Sequence, residues 1–77
     1  MTREEILKTY RICIEWLDDD RHWLAWLPDF GHSACSYADE TLTATLHGLG
    51  GVAVAIVEYY KKKGKTLPTP TKLPKIG

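Results

Sequence analysis

The stretch Tyr10-Arg11-Ile12-Cys13-Ile14-Glu15-Trp16-Leu17-Asp18-Asp19-Asp20-Arg21-His22-Trp23-Leu24-Ala25-Trp26-Leu27 decides the fold of this chain. From Tyr10 to Trp16 the apolar Tyr10, Ile12, Ile14 and Trp16 alternate with Arg11, Cys13 and Glu15, which is the two-residue period of a strand with one buried face. Leu17 to Arg21 is a polar turn, and His22 to Leu27 follows as a second strand with neither face polar. The two runs read as an antiparallel hairpin. If Trp23, Ala25 and Leu27 face inward, then Leu24 and Trp26 face outward beside Cys13; the opposite phase is also open.

Beyond the hairpin, Pro28-Asp29-Phe30-Gly31 carries tight-turn chemistry, and a short third strand is expected from His32 to about Tyr37. Asp39 is a good helix N-cap with Glu40 favourable in the first turn, and one helix is expected from there to Lys63, ended by Gly64. Leu42, Leu46, Leu49, Ala53, Ile56 and Tyr60 form an apolar stripe along it. That stripe should pack on the face of Ile12, Ile14 and Trp16. Before the hairpin, Thr2-Arg3-Glu4-Glu5 has the form of a capping box, which supports a turn or two of helix to about Lys8. After Gly64 the segment to Gly77 holds Pro68, Pro70 and Pro74 and no aromatic residue, so it reads as an extended tail or an edge strand.

The expected class is α+β: a three-stranded antiparallel sheet followed by one long helix packed on it. Residues 1–9 form an N-terminal arm or short helix, 10–64 the α+β domain and 65–77 the Pro-rich tail. At 77 residues, 44% hydrophobic and 26% charged, the chain has globular composition and fits one domain. A single core of this size supplies only ~3–5 kcal/mol, so a staple or a partner is expected. Cys13 and Cys35 make no close-spaced pair, no signal-peptide pattern precedes them, and no segment reads as a run of ~20 apolar residues. A reduced cytoplasmic protein with no membrane association is expected, stabilised by self-association.

Net charge is zero but segregated: residues 1–40 hold four Lys/Arg against nine Asp/Glu, whereas residues 41–77 hold six Lys against one Glu. A nucleic-acid-binding domain would usually be basic throughout.

The order of these pieces resembles the HicB-like antitoxin family. The resemblance rests on the Tyr10-led strand, the acidic turn, the aromatic second strand ending in Leu27-Pro28-Asp29-Phe30-Gly31, the Thr41-Leu42 helix start, and Gly64 followed by Leu67-Pro68-Thr69-Pro70. It covers about residues 10–70. This sequence lacks the family's second Pro in the Pro28 turn, has a longer step from Gly31 to the helix, and carries Thr43-Ala44-Thr45 where the family has acidic residues. The resemblance implies a degraded ribonuclease-H-like fold, sometimes with a fourth strand, and a bacterial toxin–antitoxin role: binding and silencing a small basic HicA-type ribonuclease. The DNA-binding module of full-length antitoxins is not expected here.

Catalysis is not expected. A metal-dependent nuclease needs carboxylates converging from strands and helix, whereas Asp18, Asp19, Asp20 and Asp29 lie in turns, Asp39 at a cap and Glu15 alone on a strand. His22, His32 and His47 with Cys35 supply only a half-motif for zinc or for a nucleophile–base pair. No cofactor or metal is expected. Lys61, Lys62, Lys63 and Lys65 beside Tyr59 and Tyr60 could neutralise and stack on RNA, which makes nucleic-acid binding one alternative function, the other being a homo-oligomer with no toxin partner; the plainer reading of the lysines is cations placed at a helix C-terminus.

The interface candidates lie elsewhere. Ala44, Gly48, Gly51 and Ala55 form a second line on the helix, roughly opposite Leu42, Leu46 and Leu49. Gly48, Gly50 and Gly51 each cost up to ~1 kcal/mol relative to Ala, so close packing should compensate, either on the chain's own sheet or on a second subunit. The outward Leu24 and Trp26 are the second candidate patch. The expected partners are the protein itself and a small basic toxin.

Overall fold

The computed structural model describes residues 1–31 and 34–71. In chain order it forms α1 (Arg3–Thr9), β1 (Cys13–Leu17), β2 (His22–Trp26), a single 3-10 turn (Pro28–Phe30), β3 (Ser36–Asp39) and α2 (Leu42–Lys62). The strands make one antiparallel sheet in the order β1-β2-β3, and α2 packs on it. The α+β class and the β-β-β-α order expected from the sequence are present.

The capping box at Thr2 is formed. The Thr2 hydroxyl accepts from the Glu5 amide at 3.1 Å, and the Thr2 amide donates to Glu5 Oε1 at 2.9 Å. These bonds hold the Glu5 carboxyl below its ordinary pKa. A seven-residue helix needs tertiary support, and α1 gets it by burying Ile6 completely against α2's side of the core. Of the arm or short helix expected over residues 1–9, the structure shows the helix, packed on α2. Tyr10, expected to open β1, instead ends α1 and is buried, with its ring edge-on to Phe30 at 4.8 Å.

The hairpin register sets Ile14 opposite Ala25, Trp16 opposite Trp23 and Leu17 opposite His22, with Asp18 to Arg21 as the turn and Arg21 at φ 55°. Gly31, at φ 100°, leaves the Pro28 turn through backbone space that side chains disfavour. β3 begins later than expected, at Ser36, and His32 lies outside the described residues. Asp39 is consequently the last residue of β3, opposite Trp23, and is not the helix cap. Thr41 caps α2 instead, its hydroxyl accepting from the Ala44 amide at 3.1 Å. The helix stops just before Gly64, at φ 68°.

The core joins Ile6, Tyr10, Ala25, Leu27, Phe30 and Cys35 to Leu49, Ala53 and Val57 of α2. The buried line of α2 is Thr45, Leu49, Ala53 and Val57, so the helix is rotated from its expected stripe: Leu49 and Ala53 are kept, while Leu42 is exposed. Thr45 can be buried because its hydroxyl donates to the Thr41 carbonyl at 2.7 Å and lies 3.3 Å from that of Asp39. Residues 65–71 form no strand. Leu67 packs on the core, the Tyr10 hydroxyl donates to the Pro68 carbonyl at 2.8 Å, and Thr71 donates from its amide and hydroxyl to Asp29 at 3.0 and 2.6 Å.

Candidate interaction surface

Residues facing each other across an antiparallel ladder share a sheet face. One face therefore carries Ile14, Ala25 and Tyr37 in one row and Trp16, Trp23 and Asp39 in the next. This is the face α2 covers, since Ala25 is fully buried with Leu49 and Ala53. The other face carries Cys13, Trp26 and Ser36, then Glu15, Leu24 and Ala38. Leu24 and Trp26 thus point outward with Cys13 directly opposite Trp26, the first of the two phases considered, and both are half-buried.

α2 lies over β3 and β2 and does not extend over β1, whose substantial packing is with β2. The sequence reading put Ile14 and Trp16 in the core beneath the helix. They sit on the right face but remain 42% and 40% exposed, because the helix is displaced toward β3. Leu42, in the first turn of α2, is also 40% exposed. Trp16 is held in place by an edge-on contact with Trp23 at 5.3 Å and by donation from its indole N–H to Asp18 at 2.9 Å.

Carboxylates gather at one end of this surface. Leu17 faces His22 and Trp23 faces Asp39, so the Asp18-Asp19-Asp20 turn and the Asp39-Glu40 corner lie at the same edge of the sheet. Ile14, Trp16, Trp23 and Leu42 with this acidic rim are the residues the sequence reading did not single out as a site. The signal present was three tryptophans in 77 residues, two of them flanking a run of three aspartates.

The small-residue line of α2 is met in part from within the chain. The Tyr37 ring lies where a side chain on Gly48 would have to go, and the Arg3 side chain crosses Gly50 and Gly51. Ala44 is half-buried and Ala55 exposed. Close packing inside the fold accounts for Gly48 and Gly50, whereas Gly51 faces only the movable tip of Arg3.

Lys61, Lys62, Lys63 and Lys65 are exposed at the far end of α2 around Tyr59, which is 50% exposed. Lys65 Nζ sits 5.5 Å from the Tyr59 ring centre and 5.7 Å from that of Tyr60. Among the described residues no group of three or more His, Cys, Asp or Glu is placed to hold a metal ion. Cys13 and Cys35 lie on opposite faces of the sheet; burial pushes the Cys35 thiol up to about 11.

By length and composition α2 is the one helix among the described residues that could cross a membrane, with mean hydropathy 1.3. The sequence reading had counted no such segment. Of that apolar window 28% is buried, and Val52, Val54 and Ile56 pack partly buried against the core.

These features define a small α+β domain with an open, acid-rimmed apolar surface. No protein-family model matches the chain, and neither a curated protein nor a solved structure matches it significantly.

Proposed function

We propose that this protein is a non-catalytic protein-binding domain that acts, in the manner of a HicB-like antitoxin, by covering a small basic protein, with a HicA-type ribonuclease as the partner class. The observation that carries the reading is the exposed Trp16, stacked edge-on against the half-buried Trp23, at the end of the sheet that also carries five carboxylates. Aromatic anchors surrounded by charge are the usual centre of a specific interface, and negative potential selects and steers a cationic partner. The sequence resemblance supplies the toxin. The site is cytoplasmic in this reading, because the cysteines are thiols and the partner is an intracellular ribonuclease.

The experiment titrates the purified protein into a HicA-type ribonuclease and follows cleavage of single-stranded RNA. Stoichiometric loss of cleavage is expected, with the loss abolished in Trp16→Asp. Unchanged cleavage at excess protein would overturn the antitoxin reading. A second reading is supported by Tyr59 standing exposed among four lysines: binding of single-stranded RNA at the C-terminal end of α2. Retention of labelled RNA that falls steeply with salt would favour it.

A further inference from the structure

The two charged patches of this chain are complementary to each other and cannot meet within it. The acidic patch comprises Asp18, Asp19, Asp20, Asp39 and Glu40, at the end of the sheet that carries Trp16 and where α2 begins. The basic patch comprises Lys61, Lys62, Lys63 and Lys65 around Tyr59, where α2 ends. A helix of 21 residues holds them ~30 Å apart, well beyond the ~8 Å screening length at physiological ionic strength. Among the described residues the ion pair formed is Lys8–Glu4 on α1, so neither patch is neutralised by the other.

We propose that a second copy of this chain supplies the missing complement. Two copies lie antiparallel, so that the acid-rimmed Trp16 patch of each receives the Tyr59 and lysine patch of the other. A two-fold arrangement uses both patches of both chains at once and leaves none free, which closes the assembly at two. Each contact is weak alone, and the second forms at the high effective concentration set by the first. The presence of both patches on one chain fits this pairing, since a surface meant only for a foreign basic partner needs no oppositely charged patch on the same molecule. The dimer rests on the acid-rimmed surface of the proposed function, and a basic partner would compete with the second copy for it.

Sedimentation velocity on the full chain tests this. The wild type is expected to sediment as a dimer of the 8.7 kDa chain at low salt and to dissociate as ionic strength approaches ~1 M, where screening acts within ~3 Å. Asp18→Lys/Asp20→Lys and Lys61→Glu/Lys62→Glu change exposed side chains only, and circular dichroism should show both folded. Each alone should be monomeric. An equimolar mixture should restore the dimer, because each variant then presents what the other lacks. A monomeric wild type, a dimer surviving in either variant, or a mixture that stays monomeric would overturn the proposal. Size increasing past the dimer with concentration would overturn the two-fold closure. A wild type that is monomeric yet still silences a basic ribonuclease would remove the dimer and keep the proposed function, and a dimer with no effect on the ribonuclease would do the reverse.

Discussion

Trp16 and Trp23 face each other across β1 and β2 with their rings edge to face, 5.3 Å between centres and 62° between planes, while Trp16 keeps 40% of its surface in solvent. Its indole N–H is already satisfied by Asp18, so the ring is held in one orientation before any partner arrives. A rigid aromatic surface loses little entropy on binding. That distinguishes it from a loosely exposed core residue.

Its stability contribution should be correspondingly modest. Trp16→Ala, which removes one aromatic pair worth about 1 kcal/mol and the burial of the covered part of the ring, should cost less than Leu49→Ala at a fully buried position, ~2–5 kcal/mol. Urea unfolding of both variants measures the difference. Equal costs would place Trp16 in the core and remove the argument for it as a surface anchor.

The hairpin and the long helix were legible because each shows its own period over enough residues: two from Tyr10 to Trp16, and about 3.6 from Leu42 to Tyr60. The phase of α2 was not legible. Its apolar residues occur on most sides, and the buried line takes in Val57 and Thr45, the latter with a hydroxyl satisfied by backbone carbonyls a hydropathy pattern does not register. The cap failed for a related reason. Asp39 and Thr41 are both good N-cap residues, and Asp39 is withdrawn by its ladder pairing with Trp23. The open surface escaped because residue order fixes which face of a sheet a helix covers far better than how far across the strands it lies. Ile14 and Trp16 were assigned the correct face and the wrong neighbour.

Stability should fall in mild alkali through Cys35. Burial raises its thiol from the ordinary 9.0 to about 11, so the fold favours the protonated form. Stabilisation from this group is fully present below pH 9 and is lost as pH rises toward 11. Tyr10 is raised too, mainly by burial and then by the Asp29 charge, and acts in the same direction. The urea midpoint should decline across this window, and less so in Cys35→Ala. An identical decline in that variant would show that the thiol does not contribute.

The tail is tied to the Pro28 turn by Asp29, which accepts both the amide and the hydroxyl of Thr71, and by the Tyr10 hydroxyl on the Pro68 carbonyl. Asp29→Ala removes the first pair of bonds and should expose the segment after Gly64. Trypsin cleavage after Lys65 is expected to accelerate several-fold, with a stability loss of ~1–2 kcal/mol. Unchanged cleavage would mean that Leu67 and Tyr10 hold the tail without Asp29.

The three glycines of α2 separate a packed helix from one waiting for a subunit. Replacing Gly by Ala inside a helix gains about 1 kcal/mol where nothing obstructs the new methyl group. At Gly51 the obstruction is the tip of Arg3, 3.2 Å from the added carbon, and that tip belongs to a long exposed side chain that can move aside. Gly51→Ala should therefore stabilise. At Gly50 three stem atoms of Arg3, including its Cβ, lie at 3.0–3.1 Å, so α1 itself must shift and the gain should be cancelled. At Gly48 the methyl group would occupy the place of the Tyr37 ring, and Gly48→Ala should destabilise by ~1–3 kcal/mol in spite of its better helix propensity. The double variant Gly48→Ala/Tyr37→Ala should lose less than the sum of its parts, the mark of two residues in contact. Urea unfolding of the set gives the order Gly51, Gly50, Gly48 from stabilised to destabilised. If Gly51→Ala proved as harmful as Gly48→Ala, a neighbour outside this chain would have to lie against that side of the helix.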